Sequence, residues 1–80
     1  MLNNLGYWYL ANSRPADAVK VLQLNAAEYR ASWNSYDSVA EAQIAVGDTT
    51  GAIEKYRQSI RLNPNNHHAV ATLKRLGVSP

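Results

Sequence analysis

Apolar positions recur three or four residues apart along most of the chain. Leu2, Leu5 and Tyr9 form one set, and Ala18, Val19, Leu22, Ala26 and Tyr29 a second. Tyr36, Val39 and Ala40 form a third, and Ile53, Tyr56 and Ile60 a fourth. Such spacing lays a single apolar stripe along a helix. The residues between the stripes are helix starts and stops. "NSRPAD" makes a turn that sets Pro15 near the first helical position, where its missing N–H costs little. Ser32 precedes "WNSYDSVAEAQIAV" as an N-cap, Gly47-Asp48 breaks that helix, and Asp48 or Thr49 caps the next. Asn63-Pro64 forces the chain to extend, because a residue before proline is pushed out of the helical region. Asn66 then caps "HHAVATLKRL" and Gly77 supplies a left-handed stop. The pattern predicts an all-α chain of five helices over 2–12, 16–29, 33–46, 50–62 and 67–76.

Sliding the sequence by 34 residues aligns the stripes with one another. Leu2 falls on Tyr36 and Val70, Leu5 on Val39 and Leu73, Gly6 on Ala40, Ala11 on Ala45, Ala18 on Ala52, Val19 on Ile53, and Leu22 on Tyr56. This is an internal repeat of a helix pair. It divides a single domain over 1–80 into a first copy at 1–31, a second at 32–66 and a closing helix at 67–77. Ala18, Ala52, Gly6, Ala40 and Ser59 are the small residues on which two close helices can cross, and Leu22 or Tyr56, one turn on, fills the space beside the crossing. We expect Ala18, Leu22, Val39, Ala52, Ile53, Tyr56, Ile60 and Leu73 to be mostly buried.

These same positions carry a family resemblance. Tyr36-x2-Val39-Ala40, Gly47-Asp48, Ala52-x3-Tyr56 and Pro64 resemble the tetratricopeptide repeat, whose pattern is W-x2-L-G-x2-Y, then A-x3-F, then P. The first copy matches through "LNNLGYWY" and "ADAVKVL", and departs at Asn25 and Arg30, where the family places a small apolar residue and proline; the departure weakens the first copy's exit turn. The resemblance covers residues 2 to 76. It implies an α-α superhelix of two helix-turn-helix repeats plus a capping helix, acting as a non-enzymatic protein-interaction or scaffolding module. "LQLNAAEYRASWNSYDSVAEAQIAVGD" with "SIRLNPNNHHAVATLKRLG" also looks like the tetratricopeptide tail that follows the catalytic domain of some bacterial serine hydrolases, of the penicillin-binding/β-lactamase-like or esterase type. That likeness implies the alternative: an accessory tail that supports or regulates an attached hydrolase.

Composition narrows the chemistry. Eighty residues with no cysteine exclude a disulfide framework, a thiolate metal site and a thiol nucleophile. No apolar stretch reaches membrane-spanning length and no segment reads as a signal peptide, so we expect a soluble piece whose compartment stays open. Residues 1–53 carry three basic and five acidic side chains, a balance of −2, and residues 54–80 carry five basic and one acidic, a balance of +4. The basic half lacks the interleaved aromatics of a nucleic-acid surface, since Tyr56 belongs to the core and Lys74 and Arg75 complement a helix C-terminus; nucleic acid is not expected as a partner. No nucleophile elbow, S-x-x-K, phosphate loop or H-E-x-x-H is present, and we expect no cofactor. His67 and His68 are adjacent and point about 100° apart on a helix, so they do not share a metal.

In a stacked array the first helix of each pair lines the concave surface. Asn4, Tyr7, Asn34, Asp37, Ser38, Glu41 and, from the last helix, His68 and Arg75 are the expected exposed binding residues. Asp37 and Glu41, four apart on one face, would make acid-base catalysts only in a pocket that splits their pKa values, and an open groove does not supply one. They also argue against clamping a chaperone's C-terminal carboxylate, a role for which the family's inner helices place Lys, Arg and Asn. A basic peptide or domain is the expected partner. Trp8 and Trp33 are expected to be packed rather than to serve as ligand anchors. Leu2, Leu5, Tyr7, Trp8, Tyr9 and Leu10 leave the first helix apolar on its outward side, so residues 2–10 are expected to dock against a preceding domain or, in isolation, to form a homodimer. The last helix looks finished: Val70, Leu73 and Leu76 share one face, and His68, Thr72, Lys74 and Arg75 cover the rest.

Overall fold

A computed structural model describes residues 2–80, with side-chain environments from residue 4 onward. Inferences drawn from the Leu2 side chain therefore lie outside the described residues. The chain is all-α: α1 (Leu2–Ala11), α2 (Pro15–Glu28), α3 (Trp33–Ala45), α4 (Thr49–Leu62) and α5 (His67–Arg75), with no strand among the described residues. Every predicted boundary falls within one residue of the observed one. None of these helices is long and apolar enough to cross a membrane.

The starts follow from local chemistry. Pro15 occupies the first turn of α2; Asp48 caps α4 by accepting the Gly51 N–H at 3.0 Å, and Asn66 caps α5 by accepting the Ala69 N–H at 3.2 Å. Ser32 holds the N-cap position of α3, but its side chain makes no capping bond, which corrects the role expected of it. The stops show a recurring geometry. After α1, α3 and α5 a residue with positive φ, namely Ser13, Gly47 or Gly77, turns the chain, and the following N–H reaches back to Tyr9, Gln43 or Leu73 O at 2.8 to 3.1 Å. Ser13, at φ 58°, adopts without glycine's freedom what the two glycines adopt at 85° and 81°.

Short turns fold each helix back against its neighbour, so α1 packs on α2, α2 on α3, α3 on α4 and α4 on α5, with α1 also touching α3. α3 is thus flanked on several sides, and it buries Ser35, Ser38, Val39, Ala40, Ala42 and Gln43. Mostly small side chains permit that close approach. One core cluster joins Ala18, Leu22 and Ala26 to Val39 and Ala42, with Tyr9, Leu10, Val19 and Tyr36 against it; a second joins Ala40, Ala52, Tyr56, Ala69 and Leu73. Gly6 is required where α1 meets α2, because a Cβ there would collide with the Leu22 side chain. Ile53 and Ile60 are only partly buried, against the second cluster, rather than mostly buried as expected: they sit at the flank of α4, and Val78 packs against the same cluster.

Further expectations are corrected. Trp8 is 53% and Trp33 38% exposed; neither is packed into the core, because Gly6, Tyr9 and Leu10 supply α1's inner face and Ser35, Val39 and Ala42 that of α3. Asn25, where the family places a small apolar residue, is buried and donates to Ser35 Oγ at 3.2 Å, tying α2 to α3. At α5 the expected placements of Leu76 and Thr72 are reversed. Leu76 is exposed and Thr72 buried; the tail after Gly77 turns back so that Val78 joins the second cluster and the Arg57 guanidinium donates to Ser79 O at 2.9 and 3.2 Å.

Candidate functional site

The site is built around α3. Asp37, Ser38 and Glu41 leave that helix within about one turn, and the neighbouring helices add partners from a distance in sequence. The Tyr7 hydroxyl, from α1, donates to Glu41 Oε2 at 3.1 Å and lies 3.0 Å from Ser38 Oγ. Ser38 donates to Asn34 O at 3.0 Å. On the other side Asn66, the α5 cap, donates through Nδ2 to Asp37 Oδ1 at 3.3 Å and to Ser59 Oγ at 2.8 Å, and Ser59 donates to Trp33 O at 2.9 Å. Asn66 therefore ties the start of α3, the end of α4 and the start of α5 together from a buried position.

Past Asp37 and Glu41 the surface drops into a recess of about 300 Å³ lined by Glu41, Ile44, Tyr56, His68, Arg75 and Leu76, with Thr72 beneath. The His68 ring stands edge-on to Tyr56, centroids 6.3 Å apart. Arg75 is held by a 3.0 Å bond to Thr72 Oγ1, which itself donates to His68 O at 2.8 Å. One bank of this surface is thus carboxylate and phenol, the other imidazole and guanidinium, with apolar Ile44 and Leu76 along the recess.

The titration behaviour follows from burial and charge. Burial raises the Asp37 pKa most, and Glu41 raises it further, while the Asn66 bond and His68 pull it down. Burial also raises Tyr7, with the Ser38 bond opposing it and the Glu41 and Asp37 charges adding to it. Tyr56 is pushed to about 12, first by burial and then by Asp37, Glu41 and Tyr7, with Arg75 opposing. Both phenols consequently remain neutral, as donors and as ring faces, across the physiological range.

Of the residues expected here, Tyr7, Ser38 and Glu41 form one bonded group, and Asp37, His68 and Arg75 stand around the recess or beside it. Ser38 was expected exposed and is fully buried, because α1 closes over it; it orients Tyr7 instead of meeting solvent. Asp37 is half-buried. Asn34 is exposed and contributes its carbonyl to Ser38, and Asn4 is exposed on α1. Tyr56 and Asn66 were expected only as core and cap, and both belong to the site as well. Their dual placement had one legible signal, an aromatic and an amide at the helix ends that flank the acidic pair, but no spacing rule joins residues 19 and 29 positions away from Asp37. Asp37 and Glu41 do not share a donor: each carboxylate has its own, Asn66 and Tyr7. No group of three or more metal-ligating side chains converges among the described residues. A scan of protein-family models and a search of the curated proteins find no match to this chain.

Proposed function

We propose that the chain is a non-enzymatic protein-interaction or scaffolding module, an α-α superhelix of two tetratricopeptide-type helix pairs and a capping helix, that takes a basic peptide or domain on the surface of α1, α3 and α5. The architectural part is supported by period. α2 and α4 each span fourteen residues and are offset by 34 at both ends, α3 and α5 start 34 apart, and the chain-reversing bonds to Tyr9 O and Gln43 O are also 34 apart.

The binding part is carried by one observation: Asp37 and Glu41, the latter bonded to the Tyr7 phenol, are held beside a recess whose walls include the neutral Tyr56 phenol and apolar side chains. Carboxylates with adjacent aromatic faces suit a Lys or Arg side chain, and Ile44 and Leu76 suit an apolar neighbour on the same partner. Oriented carboxylates on an open surface give specificity more than affinity, so a modest, charge-dependent interaction is expected. Selection of peptides from a random display library on the purified protein tests this reading. Enrichment of basic residues next to apolar ones, lost when Asp37→Lys and Glu41→Lys are combined, is the expected result. Enrichment of acidic or uncharged peptides, or binding indifferent to the charge reversal, would overturn it.

The accessory-tail reading has separate support in the exposed Leu5 and Trp8 of α1, an apolar face that a preceding domain could cover.

A further inference from the structure

We infer that a second, oppositely charged groove between α2 and α4 binds an extended acidic peptide segment. It lies on another side of α3: its floor includes Tyr36, which points about 140° around that helix from Glu41. The groove has two lobes, about 320 and 180 Å³, that share Arg30, Tyr36 and Gln58. Lys55 lines the first lobe and Arg61 the second, and no acidic side chain lines either. Ala26 and Val39 complete an apolar floor in the first.

Three features point to a ligand. First, the cations lack counter-charges: the one ion pair among the described residues, Arg14 with Asp17 at 2.8 Å, is elsewhere. Second, the Lys55 ammonium is drawn over the Tyr36 ring, 6.0 Å from its centroid, which keeps it along the groove wall. Third, Gln58 Oε1 is buried without a hydrogen-bond partner, although a buried acceptor costs free energy until a donor reaches it. An extended peptide supplies both chemistries, carboxylates for the cations and, once the Gln58 amide turns outward, a backbone N–H for its Oε1. A phosphodiester backbone has no N–H to give. The geometry fits as well. Lys55, Gln58 and Arg61 follow at three-residue steps along α4, so Lys55 and Arg61 stand about 9 Å apart along the axis and about 120° apart around it, one to each lobe with Gln58 between them, and an extended strand with carboxylates on alternate residues passes both.

Fluorescence anisotropy with a labelled alternating Glu-Leu octapeptide tests this on the whole chain, against an oligouridine and phosphatidylserine vesicles as competing probes. The expected result is saturable peptide binding that weakens with salt and falls about tenfold or more in Arg30→Glu/Arg61→Glu, both exposed positions whose replacement leaves the core intact. Gln58→Leu should weaken it severalfold with an unchanged circular-dichroism spectrum. Asp37→Lys/Glu41→Lys should not weaken it, which separates this groove from the surface proposed above. No binding at about 1 mM peptide, equal or tighter binding of oligouridine or vesicles through the same arginines, or self-association of the wild type that the arginine reversal abolishes would each overturn the assignment.

Discussion

Asn66→Ala probes the joint on which the candidate site depends. The Asn66 side chain accepts from Ala69 N and donates to Ser59 Oγ and Asp37 Oδ1, all from a position 5% exposed. Loss of an N-cap costs about 1 kcal/mol. Loss of the well-formed 2.8 Å bond to Ser59 costs about 1 kcal/mol more. The bond to Asp37, long at 3.3 Å and to a half-exposed carboxylate, adds about 0.5 kcal/mol after allowance for solvent. The expected loss is therefore about 2 to 3 kcal/mol, a large part of the roughly 4 to 12 kcal/mol typical of a domain this size, and it should lower Tm by about 10 to 20 °C. Urea denaturation followed by circular dichroism measures it, with Asn12→Ala, an exposed amide bonded only to Trp8 O, as the control expected within about 0.5 kcal/mol of wild type. Asn66→Asp retains the cap but loses both donations and sets a second carboxylate beside Asp37. It should be at least as damaging at neutral pH and should regain stability as pH falls through the carboxylate range, which Asn66→Ala should not. A loss below about 1 kcal/mol in Asn66→Ala, or identical pH profiles for the two variants, would refute the bridging role.

Other perturbations separate packing, charge and association. Gly6→Ala places a methyl against the fully buried Leu22, so overpacking of about 1 to 3 kcal/mol should outweigh the roughly 1 kcal/mol helix-propensity gain; a stabilised variant in the same urea experiment would contradict the close α1–α2 crossing. Asp37 has a raised pKa, so the folded state holds its proton more tightly than the unfolded state and its ionisation weakens the fold as pH rises. Asp37→Asn should accordingly be more stable than wild type at neutral pH, with the gain vanishing below the unperturbed carboxyl value of 3.8; a gain that persists there would mean packing and not charge. Trp8, 53% exposed beside Leu5, should drive concentration-dependent association in analytical sedimentation that Trp8→Lys abolishes, and a wild type that stays monomeric throughout would remove α1 as a docking face.

The helices were legible because their ends are decided by a few local residues. Pro15, Asp48, Asn66, Gly47 and Gly77 act within one turn of chain, and each does in the structure what its chemistry dictates. Ser13 escaped notice because a left-handed serine has no compositional mark. The small-beside-large pairs Ala18 with Leu22 and Ala52 with Tyr56 were legible for a related reason: close helices leave one place for each size of side chain. The site was legible only in part. Periodicity gives the direction in which Ser38 leaves α3, but not that α1 lies over it, and it gives Trp8 and Trp33 an apolar character without saying whether a neighbour covers them. Bonds such as Tyr7 to Glu41 and Asn66 to Asp37 depend on interhelical offsets set by the whole core. The basic groove was hidden similarly: Arg30, in the turn after α2, shares a groove with Lys55 and Arg61 only because α2 and α4 both pack on α3.

The central claim, that the Asp37–Glu41 surface receives a basic partner, is tested most directly by an amide chemical-shift titration with an alternating Arg-Leu octapeptide. The account predicts saturable shifts concentrated at residues 34–44 and 68–76 and at Tyr7 and Tyr56, and their loss in Asp37→Lys/Glu41→Lys. Shifts confined to the α2–α4 groove, equal shifts in the charge-reversed protein, or none at about 1 mM peptide would contradict it.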